Sequence, residues 1–174
     1  YLLVFAVSLI TMGRLGDMFG RRLLFVSGLT LFSLASLACG LAPSVGWLIA
    51  FRAIQGLGGS MMMPATLSII ASVFPPEQRG AAMGIWGGVI GVATAAGPVL
   101  GGLIIDGVSF GGLFQGQSWP YIFLVNVPIG IVLFGLSLRI IPESRDTAHS
   151  HRLDLPGIVM LSAALFCLTF ALIE

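Results

Sequence analysis

Gly13-Arg14-Leu-Gly-Asp17-Met-Phe-Gly20-Arg21-Arg22 places three of the chain's eight basic residues between two apolar runs. Glycines, an aspartate and an arginine pair at these offsets predict a tight elbow between membrane helices, on a basic membrane face. Elsewhere charge is scarce. Hydrophobic residues make up 57% of the 174, charged residues 9%, and mean hydropathy is +1.05. A soluble domain carries about 25% charged residues, so this composition excludes one. The charges leave gaps at 23–51, 53–76, 80–105, 107–138 and 155–173. Each gap accommodates the roughly 20 apolar residues of a helical span. Segments this long without two-residue alternation exclude a β-barrel. The fold class is therefore all-α, a polytopic transmembrane helical bundle.

Six spans are predicted, at 1–12, 23–41, 45–68, 81–105, 121–138 and 155–173. With a break near Pro43 and another after Ile105, the arginines separate by side. Arg14, Arg21, Arg22, Arg79, Arg139, Arg145 and Arg152 fall on one face of the membrane and none on the other. Positive residues mark the cytoplasmic face, which orients the chain as a multi-pass protein of a cell membrane. Residues 1–138 read as part of a transmembrane bundle, with 13–22 as a loop. Residues 139–154 form a cytoplasmic loop, and 155–174 an additional transmembrane helix. The chain opens within a span at Tyr1 and stops as another ends, so it reads as a piece of a longer polypeptide whose remainder packs against it.

Arg52 is the costliest side chain. It lies seven residues into its span, about 10 Å at 1.5 Å per residue. An arginine near mid-helix costs about 2.5–3.5 kcal/mol on insertion scales. Either it faces a polar interior with a partner, or it snorkels to the outer surface. Gln55, Gly56, Gly59 and Met63 share its helical face, the pattern of a cavity-lining stripe. No other span contains an acid, so a partner carboxylate is expected on a helix outside this chain. Cys39 and Cys167 lie in separate spans and read as buried free thiols, not a disulfide.

The fourth span carries Gly84, Gly88, Gly91, Ala95, Pro98 and Gly102 at intervals of three or four, a small-residue stripe that admits a neighbouring backbone. Asn126 is a polar group inside the next span. It either lines a cavity or makes a structural hydrogen bond at the Pro128 break. Met61-Met62-Met63 offers soft contacts suited to a promiscuous pocket, with lipid-facing or core methionine as the plainer reading. His149 and His151 lie in a charged loop too sparse for a metal site. No catalytic residue, metal, cofactor or nucleic-acid partner is expected.

Together these stretches resemble the major facilitator superfamily. Gly13 to Arg22, with Asp17, Gly20, Arg21 and Arg22, is similar to its motif A, in the cytoplasmic loop between helices two and three. Arg52-Ala-Ile-Gln55-Gly56 resembles motif B on helix four. Gly97-Pro98-Val-Leu-Gly101-Gly102, with Gly84 upstream, resembles motif C on helix five. Trp119-Pro-Tyr-Ile-Phe-Leu-Val-Asn126-Val-Pro128-Ile-Gly130 and Asp154-Leu-Pro-Gly157 are similar to the drug–proton antiporter branch with fourteen spans. Met18 stands where motif A is usually basic, and Ala93 where motif C has glycine.

The resemblance implies a partial major facilitator fold covering helices two to seven of a proton-coupled exporter of drugs or other lipophilic or cationic small molecules. The energy source would be a proton gradient, and the partners the bilayer, protons and substrate. It implies that motif A latches one conformation, with Asp17 accepting hydrogen bonds. Arg21 and Arg22 would pair with Asp17 or Glu77, or anchor on anionic lipid. Motif B would assist proton transfer and motif C would seal the cavity, with Met63 and Asn126 as candidates for the substrate cavity. Two competing functions are a dedicated exporter of one metabolite or antibiotic, and a membrane-embedded enzyme. The enzyme needs catalytic groups within the spans, and both histidines lie outside them.

Overall fold

A single residue, Gly20, separates the first two helices, α1 (Leu2–Phe19) and α2 (Arg21–Gly40). The computed structural model describes residues 1–107, 119–142 and 155–173. Gly20 has φ 119°, a conformation that side chains disfavour strongly, so the reversal needs glycine here. Its N–H donates to the Gly16 carbonyl at 3.0 Å and its carbonyl accepts from Leu24 N–H at 3.0 Å. One residue thus closes one helix and opens the next. This corrects the expected loop at 13–22, since residues 13–19 extend α1 to within one residue of α2. Gly13 and Gly16 are helical because they serve packing. A side chain on Gly13 would meet Pro64, and one on Gly16 would lie 3.0 Å from Leu24.

The remaining elements are α3 (Val45–Val73), α4 (Pro76–Gly107), α5 (Pro120–Leu124), α6 (Asn126–Ile140) and α7 (Leu155–Ile173). No strand occurs among the described residues. Five segments are long and apolar enough to cross a membrane: Leu2–Phe19, Arg21–Gly40, Val45–Val73, Pro76–Ile104 and Pro120–Ile140. The 19 residues of α7 add a further uncharged helix. Several helices outrun the predicted spans. The 29 residues of α3 extend about 44 Å, against a hydrocarbon core of about 30 Å, so its ends reach the headgroups.

The span 120–140 is broken at Val125. Pro128 explains the position, because it has no N–H for the Leu124 carbonyl four residues back and its ring crowds that oxygen.

The core is the α2–α3 contact, made by backbone against backbone. A Cβ on Gly58 would lie 2.6 Å from Phe32 N and 2.9 Å from the Gly28 carbonyl oxygen. In lipid there is no hydrophobic drive between helices, so such close approach supplies the association. α1 packs on α3 where Gly56 meets the Tyr1 carbonyl and Gly59 meets the Phe5 ring. α5 and α6 pack on α2, and α7 on α1. Cys39 is buried in α2. Cys167, expected to be buried, is exposed on α7 because that helix touches only α1 among the described elements.

α4 meets α3 and α5 only sparsely, and no residue of its apolar window is buried. Gly84, Gly88, Gly91, Gly97, Gly101 and Gly102 have nothing within 4 Å where a side chain would begin. The close neighbour expected for this stripe is therefore not among the described residues. Residues 108–118 and most of the expected cytoplasmic loop (139–154), with Arg145, His149, His151 and Arg152, lie outside the described residues.

Candidate functional site

Among the described residues no carboxylate pairs with Arg52. Its Nη1 donates to Gln55 Oε1 at 3.0 Å, three residues along α3. Its guanidinium carbon lies 4.4 Å from the Tyr1 ring centroid and 5.5 Å from that of Phe123. Each such cation–ring contact contributes about 0.5–2 kcal/mol, more as water is excluded. The charge is therefore shared among an amide and two aromatic faces, supplied by three different segments.

The hydrogen bond from Arg52 fixes the orientation of the Gln55 amide. With Oε1 turned to the cation, Nε2 points to α2 and donates to Ser36 Oγ at 2.9 Å. Ser36 Oγ in turn donates to the Phe123 carbonyl at 2.9 Å and accepts from Asn126 Nδ2 at 3.1 Å. One hydroxyl offers one donor and two acceptor sites, and Ser36 uses all three. Gln55 is 1% exposed and Ser36 0%, so the chain from Arg52 to Asn126 runs through the bundle interior. It joins α2, α3 and the α5–α6 break into one polar unit. Such a unit is costly to disrupt, because each buried group left unpaired costs about 1–3 kcal/mol.

Sequence reasoning named Arg52, Gln55 and Asn126, and the structure connects all three. It missed Ser36, the residue through which they connect. A serine in an apolar helix has many bland explanations, and only the register of α2 against α3 selects this one. Gly56 and Gly59, expected along a cavity wall, are instead filled by α1. Met63 is at the surface (36% exposed) and is not brought to Asn126.

At the other end of α2, Arg21 pairs with Asp17 across the Gly20 turn, with Nη2 and Nε at 3.2 and 3.3 Å from Oδ1. Its Nη1 also donates to the Ser68 carbonyl of α3 at 3.4 Å. Arg22 donates through Nη2 to the Leu138 carbonyl of α6 at 2.6 Å. The arginine pair thereby ties the start of α2 to α1, α3 and α6. Gly97, Pro98, Gly101 and Gly102 remain on the uncovered surface of α4, away from both clusters.

The helices thus hold two arginine-centred clusters, one around Arg52 within the bundle and one at the α1–α2 turn. The sequence profile of the Major Facilitator Superfamily matches residues 1–173. The chain belongs to that superfamily and is a multi-pass membrane protein. It is 42% identical over its whole length to the tetracenomycin C resistance and export protein of Streptomyces glaucescens, covering 31% of that relative. Over 92% of its length it is 39% identical to multidrug resistance protein 3 of Bacillus subtilis, covering 29% of it. With the methylenomycin A resistance protein of Streptomyces coelicolor it shares 38% identity, covering 34% of that protein. The chain thus spans about a third of the length of these relatives.

Proposed function

We propose that the full-length protein is a secondary active exporter that moves lipophilic or cationic small molecules out of the cell against inward proton flow. One observation carries the coupling. Among the described residues Arg52, inside a span, has no carboxylate partner, and it donates a hydrogen bond to a neutral amide. A cation held this way lowers the proton affinity of any acid brought near it. An acid contributed from outside the described residues would then lose its proton when it meets Arg52 and regain it when they separate. Alternating access, one helical bundle rocking against another around a midplane site, provides that cycle. The arginine clusters suit such motion, with Asp17–Arg21 as a partly exposed latch at the cytoplasmic end and the Ser36 unit as a rigid strut within the bundle.

A second reading is favoured by the relatives, two of which are named for a single antibiotic. The protein would then export one compound made by its own host. Uptake into everted vesicles across a broad panel of dyes and drugs separates the two, since the multidrug reading expects several to move only while a proton gradient is present. Movement of one compound alone would establish the dedicated reading. Movement of any of them unaffected by collapse of the gradient would defeat proton coupling.

A further inference from the structure

We propose that the seam between α2 and α6 binds one anionic phospholipid of the cytoplasmic leaflet, with its phosphate on Arg22 and an acyl chain laid along the two helices.

Two cavities lie along this seam. The first, about 330 Å³, is at the cytoplasmic end, where Arg22, Val26 and Ser27 face Leu138. The second, about 390 Å³, lies further into the membrane, where Ser33 and Leu34 face Gly130 and Phe134. Positions 23, 26, 30, 33 and 37 of α2 all border one or the other, and so do 127, 131, 134 and 138 of α6. Both series advance by three or four residues, so each is a single helical face. The helices are antiparallel, and the two cavities are stations on one groove. Gly130 has no side chain, which lets Ser33 pack directly against its backbone in the wall of the inner cavity.

The chemistry differs at its two ends. The inner cavity offers almost nothing polar: Thr30 spends its hydroxyl on the Val26 carbonyl, and Ser33 Oγ is buried without a partner. Only an apolar chain fits there. The mouth carries Arg22, which uses one donor on Leu138. That bond pins the guanidinium over the cavity and leaves the rest of its five-donor fork available, a geometry that matches phosphate oxygens. Arg22 stands in the first turn of α2, at the cytoplasmic surface where anionic lipids are concentrated.

Length agrees with one lipid. Leu34 is twelve residues beyond Arg22, about 18 Å along the helix. One leaflet of hydrocarbon is about 15 Å thick. A chain hanging from a phosphate at Arg22 therefore ends in the inner cavity.

The test uses the full-length protein in phosphatidylcholine vesicles containing phosphatidylglycerol with a photoreactive group near its acyl terminus. Adducts are expected on the 29–37 and 127–134 segments. Labelling should fall about tenfold in Arg22→Gln, as expected for loss of a charge-assisted contact. A similar fall is expected in Leu34→Trp, which fills the groove from a residue that is 61% exposed and so spares the core. Arg79→Gln, at another cytoplasmic turn, should label like the unaltered protein. Equal loss in Arg79→Gln would mean general surface attraction and would overturn the proposal. Equal labelling by photoreactive phosphatidylcholine would overturn it too. So would the absence of adducts on both segments, which would mean that another part of the polypeptide covers the seam.

Discussion

The Ser36 hydroxyl accepts a 2.9 Å hydrogen bond from the Gln55 amide, and through that bond the helix bearing Arg52 is fixed to α2. Because Ser36 also accepts from Asn126 and donates to Phe123 C=O, its removal leaves the buried Gln55 Nε2 without its partner and takes one partner each from Asn126 and Phe123 C=O. Ser36→Ala should lower stability by about 2 kcal/mol. Ser72→Ala, whose exposed hydroxyl bonds only its own helix, should change it by less than about 0.5 kcal/mol. Thermal unfolding in detergent compares the two.

Gly20 gives a second expectation. At φ 119° a Cβ is strained whatever space surrounds it, so Gly20→Ala should cost more than about 1 kcal/mol. A melting temperature unchanged by this substitution would mean that the α1–α2 turn is not made as described.

The two glycine groups should behave in opposite ways. Gly58→Ala drives a Cβ to 2.6 Å from Phe32 N, where only backbone can give way. Overpacking of that kind costs about 1–3 kcal/mol. Gly101→Ala meets nothing within 4 Å. In the 174-residue chain it should gain about 0.5–1 kcal/mol through helix propensity alone. Parallel unfolding curves of the two variants decide this.

These contrasts show what could be read from residues and what could not. Charge gaps placed every span, because the bilayer imposes span length directly, but not the break at Val125 that divides α5 from α6. They misplaced ends of α1, α3 and α4, since these helices run on past the predicted spans to the Gly20 turn and the Phe74-Pro75 turn. Arg52 was conspicuous because a buried cation is costly, and Gln55 followed from helical spacing. Ser36 was hidden because its role depends on which face of α2 meets α3, a register set by Gly28 and Gly58 in contact. Glycine content alone did not distinguish those two, packed backbone to backbone, from the uncovered glycines of α4.

The Asp17–Arg21 pair is partly exposed, with side chains 34% and 20% accessible. Exposed pairs contribute only about 0–1 kcal/mol, so Asp17→Asn should leave the melting temperature nearly unchanged. Freed from Asp17, Arg21 should also hold the Ser68 carbonyl less firmly. Alkylation of a cysteine introduced by Ser68→Cys should then quicken several-fold. Equal alkylation rates with and without Asp17 would remove the latch.

Transport by the full-length protein in proteoliposomes, read in two modes on the same preparation, is the most direct test of Arg52 as the coupling cation. Arg52→Gln should retain substrate counterflow, which needs binding and alternating access only. It should lose accumulation driven by an imposed proton gradient. Gradient-driven accumulation at the unaltered rate in Arg52→Gln would contradict the account.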